Sequence, residues 1–308
     1  MAQATTFAGF PAGDPVEGLT ADIAIIGIPH GTPYDNGESG PSSESPAAIR
    51  AASARYAAMR DNHDFDLGGP LLDNRPIRVV DCGDVPGDPA DPAGNRKRAT
   101  AAVQAVLNAG AIPIALGGDD SIPIPFFRAY RQHGPITLIQ VDAHIDWRDD
   151  VRGIKEGYSS TMRRASEMDW IETIVQVGMR GVGSAGEPEL QDALAAGAQL
   201  FTARQLHTGG IGQVLEQIPA GSRCLITLDF DGLDPTIMPA VNAPAPGGIG
   251  YWQLIDLIHG IAQKTDLIGV DLVEMAPEKD IGNLSALTAV RILFNIIGAL
   301  ARSDRFQK

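Results

Sequence analysis

The chain has 308 residues, 44% of them hydrophobic, and a formal net charge of -14 from 24 Lys and Arg against 38 Asp and Glu. Phosphate backbones are held by clustered Lys and Arg, so this balance argues against nucleic acid and suits cations, either metal ions or a positively charged small molecule. With no break in composition, the length reads as one domain over 1–308, large enough to bury a core without disulfides.

The opening MAQATTFAGFPAGDP lacks the basic, apolar and small-residue zones of a signal peptide. No apolar run stands out as a membrane span of ~18 residues. The expectation is a cytoplasmic protein with no membrane partner. Cys82 and Cys224 lie in apolar, strand-like surroundings (VVDCGD and SRCLITLDF) and read as reduced, buried thiols.

Taken in chain order, ADIAIIGIP at 21–29 is a buried strand, and a Gly/Pro/Ser-rich loop at 27–46 leads into a helix, SPAAIRAASARYAAM. IRVVDCGD at 77–84 is a strand, RKRATAAVQAVLNAG a helix, and AIPIALGGDD at 111–120 and ITLIQVDAH at 136–144 are further strands. IVQVGMRG at 174–181 and CLITLDFD at 224–231 come next, then a second long loop at 239–250, PAVNAPAPGGIG. The helix YWQLIDLIHGIAQK, the strand LIGVDLVE at 267–274 and the helix LSALTAVRILFNIIGALAR end the series. Near-continuous apolarity means strands covered on both faces, so the alternation predicts an α/β fold: a three-layer α/β/α arrangement around a mostly parallel sheet. The two long loops read as ordered segments at the sheet rim.

Two strand ends carry acids in alternation. Asp142, His144 and Asp146 in DAHID share one face if the strand runs on, and so do Asp229 and Asp231 in LDFDGLDP. A lone Asp pair is equally well a capped turn, and a lone His a core residue. Together, at the carboxyl ends of apolar strands where open sheets bind ligands, they need a cation to neutralise them and read as a metal cluster. GGDDS lacks the spacing of a dinucleotide fingerprint and ends in carboxylates, so it is not a nucleotide loop.

GGDDS at 117–121, DAHID at 142–146 and DFDGLDP at 229–235 resemble the three signatures of the ureohydrolases, the arginase and agmatinase family. GIP at 27–29, DCGDV at 81–85, VGMRG at 177–181, APAPGG at 243–248 and VDLVEMAPEKD at 270–280 are similar to further family landmarks, with agmatinases nearest. The resemblance implies an arginase-like fold and two manganese ions per subunit. Asp142 and Asp229 would bridge them, Asp146 would complete the first site, and His144 and Asp231 the second. It also implies that a bridging water, acidified by two cations, attacks a guanidinium carbon to give urea and an amine. Glu274 would face the guanidinium amino groups, and Asp231 would carry the proton to the leaving amine. A trimer or hexamer of identical chains is the implied assembly.

Two positions depart from the family pattern. Its first signature reads GGDHS, with the histidine a metal ligand, where this chain has Asp120. A carboxylate can replace an imidazole, and Asp120, Asp142, Asp146 and Asp229 would then form an all-oxygen site suited to manganese, magnesium or calcium. Asp119 adds negative charge unless backbone amides take it up. The family's proton-shuttling histidine falls on Tyr158 in EGYSSTMRRAS. A tyrosine, with pKa near ~10, is a poorer shuttle, so Tyr158 either carries a proton, shapes the pocket or packs.

No segment matches the arginase feature that reads the amino-acid end of arginine, so the small cationic guanidine agmatine, giving putrescine, is the substrate expected. The acidic loop at 30–44 would meet its far amine; His30 there is either a substrate contact or a turn or subunit contact, and Trp147, Arg148 and Asp149 either line the mouth or pack. The alternatives are a hydrolase of another guanidino or formimino compound such as guanidinobutyrate, or a catalytically silent homologue acting as a structural or regulatory subunit.

Overall fold

The computed structural model describes residues 5–15, 18–34 and 40–306. Eight strands form one sheet: β1 (Ile23–Ile28), β2 (Val79–Asp84), β3 (Ile112–Gly117), β4 (Ile136–Val141), β5 (Ile171–Met179), β6 (Gln199–Thr202), β7 (Arg223–Asp229) and β8 (Asp266–Val273). Their order is β2-β1-β3-β8-β7-β4-β5-β6, and every neighbouring pair is parallel. Seven strands match the sequence reading. The eighth, β6, is four residues long and only half-buried at the sheet edge, so its QLFT carries no run of apolar residues to betray it.

The helices are α1 (Ser45–Ser53), α2 (Pro92–Asn108), α3 (Pro123–Ala129), α4 (Thr161–Ser166), α5 (Glu187–Ala195), α6 (Ala203–Gly209), α7 (Gly212–Gln217), α8 (Tyr251–Lys264) and α9 (Leu284–Arg302). Alternate strand residues face opposite layers. Ile139 and Val141 of β4 and Ile226 and Leu228 of β7 join Ile49 of α1 and the apolar faces of α8 and α9. Ile136 and Leu138 of β4 and Leu225 of β7 pack instead with Val103 of α2, Phe126 and Phe127 of α3, Met162 of α4 and Ala193 of α5. This is the three-layer α/β/α fold, since parallel strands need helical crossovers and so bury both faces.

Local chemistry sets the helix ends. The helix expected over 45–59 is α-helical only to Ser53 and continues as a 3-10 turn over Ala54–Met59. α2 starts earlier than expected because the Asp91 side chain accepts from the Gly94 N–H and Pro92 supplies the first helical φ. At α9 the capping carboxyl is Asp280, which accepts from the Ser285 and Ala286 N–H groups. α9 also corrects the expectation of no long apolar run: by length and composition, with mean hydropathy 1.8, it is long enough to cross a membrane. Here 78% of that window is buried, packed on α1 and α8 as the core helix of one layer. Cys224 is buried and Cys82 only half-buried, both as free thiols.

Candidate metal centre

In a parallel sheet all carboxyl ends emerge on one side. β3, β8, β7 and β4 are consecutive in the sheet, and the segments leaving them carry Asp119 and Asp120, Glu274, Asp229 and Asp231, and Asp142, His144 and Asp146. Four stretches distant in sequence therefore meet above the middle of the sheet. One ligand atom from each of Asp142, His144 and Asp231 lies within 4.8 Å of the other two, and the same holds for Asp120, Asp142 and Asp229. Asp142 belongs to both groups, the placement required of a group that bridges two cations.

The convergence does not come from strand alternation. β4 ends at Val141, and DAHID is a loop whose Asp146 has φ 49. β7 ends at Asp229, and a 3-10 turn over Phe230–Gly232 presents Asp231. Backbone N–H groups orient the acids instead. The His144 N–H donates to Asp142 Oδ1 (2.6 Å), the Asp231 N–H to Asp229 Oδ1 (2.7 Å) and the Ala143 N–H to Asp231 Oδ1 (3.1 Å). Gly232 is needed for this approach, because a Cβ there would stand 2.8 Å from the Asp142 nitrogen.

Asp146 falls outside both groups but stands beside Asp142: Gln140 Nε2 donates to Asp142 Oδ2 (2.7 Å) and to Asp146 Oδ2 (2.9 Å). Gln176 in turn donates to Gln140 Oε1 and accepts from Trp147 Nε1 (2.7 Å). Trp147, 1% exposed, therefore packs in the core and does not line the mouth. The sequence reading missed Gln140 and Gln176, although a glutamine inside each of the buried runs ITLIQV and IVQVGM was the available signal.

Burial, followed by repulsion from neighbouring carboxyl groups, pushes Asp120, Asp142 and Asp229 well above the ordinary carboxylate range. Burial also raises Asp119, but its Oδ1 accepts from the Ser121 N–H (3.0 Å) and hydroxyl, so its charge is taken up by the loop. His144 Nδ1 lies 3.2 Å from Asp231 Oδ2 and 3.3 Å from Asp142 Oδ1, and the Asp231 contact raises its pKa. Both carboxyl oxygens of Asp120 are buried with no hydrogen-bond partner. Such a group fits a site completed by a cation, because no hydrogen-bond donor compensates its desolvation.

Glu274, at φ 70 past the end of β8, accepts from the Asp120 N–H at Oε1 (2.8 Å) and from Ser42 Oγ (3.1 Å) and Asn242 Nδ2 (3.2 Å) at Oε2. Burial pushes its carboxyl up to about 7. Ser42 and Asn242 come from the two long loops, so both do reach the site. Arg180 holds the second loop: its guanidinium donates to Asp231 O (2.6 Å), Leu233 O (3.1 Å) and Ala245 O (2.7 Å). That role was hidden in VGMRG, where nothing in the sequence shows which carbonyls an arginine will meet.

The acids form the floor of a cavity of about 600 Å³ whose wall includes Tyr34, Ser42, Tyr158 and Asn242. Tyr158 is 41% exposed and its ring lies 4.3 Å, centroid to centroid, from that of Tyr34. Asp35 and Glu38 of the acidic loop at 30–44 lie outside the described residues. His30 is not on this cavity's wall; its ring packs over Gly87. Arg148 donates to Ser184 O and pairs with Glu189, and Asp149 pairs with Arg164, both as loop packing.

A family model described as the arginase family matches residues 21–298. The chain is 35% identical over 196 residues to the N(1)-aminopropylagmatine ureohydrolase of Thermus thermophilus, a match spanning 62% of this chain and 64% of that protein. It is 30% identical over 298 residues to the guanidinobutyrase of Pseudomonas aeruginosa, covering 93% of this chain and 88% of that one. Among solved structures, the proclavaminate amidino hydrolase of Streptomyces clavuligerus superposes with a TM-score of 0.85 at 26% identity, covering 98% of each chain.

Proposed function

The chain belongs to the arginase family, and from that premise we propose that it hydrolyses amidine C–N bonds, binds two divalent cations, manganese by preference, and cleaves agmatine to urea and putrescine. One observation carries the cation reading: Asp120, standing where the family pattern has a histidine, leaves both carboxyl oxygens unpartnered and brings one of them within 4.8 Å of carboxylate oxygens of Asp142 and Asp229. A silent homologue has no physical use for such a group, because a buried carboxylate left bare costs stability.

Asp120, Asp142, Asp146 and Asp229 would hold the first cation, and Asp142, Asp229, His144 and Asp231 the second. When bound, two such cations would lower the pKa of water held between them, which is the chemistry that attack on a guanidinium carbon near neutral pH requires. The chain's own groups do the rest. Glu274 is held by Asp120, Ser42 and Asn242 with lone pairs left to accept guanidinium N–H groups, which fixes the carbon over the floor. Asp231 passes a proton to the departing nitrogen, so that guanidinium and water become urea and an alkylammonium ion. The wall of the cavity offers no histidine at the position of Tyr158 to share that task.

The test joins metal analysis to urea release from agmatine, arginine, guanidinobutyrate and guanidine. Close to two manganese ions per chain with urea from agmatine is the expected result. One ion or none, with no urea from any of them, would favour the silent-homologue reading.

A further inference from the structure

We propose that Tyr34 and Tyr158 form the specificity element of this site, a pair of ring faces that takes the ammonium end of a guanidino amine and leaves guanidino acids without a partner. The inference rests on the hydrolase reading above and deepens it, because the relatives of this chain are named for substrates of both kinds.

The chemistry of the wall carries the argument. Among the described residues lining the cavity there is no lysine and no arginine. A substrate carboxylate would find no counter-charge, and it would face a floor whose carboxyl groups two divalent cations do not fully cancel. The aromatic pair offers the opposite. With centroids 4.3 Å apart and planes tilted by 50°, the rings stand as a wedge at the wall. The face of a phenol ring carries negative charge density, and a cation within ~6 Å of it is held about two- to thirtyfold more tightly.

The pair is also built to stay in place. The Tyr34 hydroxyl accepts from the Ser159 N–H (2.9 Å), and burial raises its pKa, so the ring is fixed and neutral. Gly157 leaves room for it, since a Cβ there would come within 2.1 Å of Tyr34 Cε1. Tyr158 is the outer member, 41% exposed, on the segment that leads into α4. Its place in the wall therefore assigns it to the substrate's tail and not to proton transfer at the guanidinium end.

Three probes of equal chain length separate the possibilities: agmatine with an ammonium tail, butylguanidine with an uncharged one and 4-guanidinobutyrate with a carboxylate. Kinetics on the manganese-loaded full chain, with calorimetric binding of each probe, should rank agmatine first and 4-guanidinobutyrate last. Tyr158→Ala should raise the KM and dissociation constant of agmatine about five- to thirtyfold, with a smaller change for butylguanidine and the effect on KM rather than kcat. Tyr158→Phe, which keeps the ring, should recover agmatine binding. A preference of the wild type for 4-guanidinobutyrate would overturn the assignment, as would equal losses for agmatine and butylguanidine in Y158A, or a fall in kcat without a change in KM in Y158F, which would return the hydroxyl to proton transfer. Absence of urea from all three would overturn the agmatine hydrolysis proposed above instead, and the calorimetric ranking would still decide the role of the tyrosines.

Discussion

Asp120 sits where three influences meet: complete burial, the charges of Asp146 and Glu274 nearby, and no donor for either carboxyl oxygen. Only its backbone is satisfied, the N–H donating to Glu274 and the carbonyl accepting from Thr161 Oγ1. A side chain so placed contributes little unless a cation binds it, so its removal should be read in metal content before stability. For Asp120→Ala, manganese per chain should fall from about two toward one, with cation affinity at the vacated site lower by at least about a hundredfold. Asp120→His should restore two ions, because the imidazole offers one ligand nitrogen in much the same position. Two ions per chain in D120A would remove Asp120 from the ligand set. The single residues of the centre were largely legible, because acids at the ends of apolar runs are costly enough to stand out. Gln140, Gln176 and Ser42, which only orient those acids or Glu274, carry no such cost and stayed hidden.

At the scale of elements, the turn after β7 and the loop at 239–250 are one unit, tied by Arg180 to the carbonyls of Asp231, Leu233 and Ala245. Arg180→Ala leaves those carbonyls to water and should cost roughly 2 kcal/mol of stability, while lowering cation affinity because Asp231 loses its fixed turn. Urea denaturation and metal titration of R180A measure the two effects; unchanged cation affinity would separate the loop from the centre. β8 poses a different problem. Asp271 is fully buried between β3 and β7, with Oδ1 accepting from Thr227 Oγ1 (2.7 Å) and Oδ2 unpartnered, and burial lifts its carboxyl from the ordinary 3.8 to about 8. The folded chain thus keeps a proton that the unfolded chain gives up, so stability falls as pH rises from about 4 to about 8. Asp271→Asn should flatten that fall by up to about 1.4 kcal/mol per pH unit, seen in denaturant melts of chelated protein across that range; parallel wild-type and mutant curves would refute it. Strand periodicity located β3, β4, β7 and β8 but misled about the segments leaving their carboxyl ends. Alternation places Asp142, His144 and Asp146 on one strand face, whereas a loop and a positive φ at Asp146 bring them together. Periodicity describes where a strand runs and says nothing of the turn that ends it.

For the whole molecule, the acidic centre lies on the carboxyl ends of the central strands, so its electrostatic cost is borne by the entire sheet. Without cations, burial and mutual repulsion favour the protonated forms of Asp120, Asp142 and Asp229. As pH rises the folded chain must ionise them against that repulsion, which lowers the stability of the cation-free form, while the same ionisation improves the site for a cation. Cations bound only by the folded chain stabilise it in proportion to the logarithm of their concentration, by about 2.7 kcal/mol per site at a hundred times the dissociation constant. Chelation of both should therefore lower the melting temperature by roughly 10 °C. The pH effect has a definite sign: the loss on chelation should be larger at pH 8 than at pH 6, because protons compete with the cation more strongly at the lower pH. Thermal melts with manganese or chelator at the two pH values test both statements, and proton release on adding manganese to weakly buffered protein gives an independent reading. A melting temperature indifferent to manganese and chelator at both pH values would mean that the acids are satisfied by protons alone, and the centre would then have no cation to supply the hydrolytic chemistry.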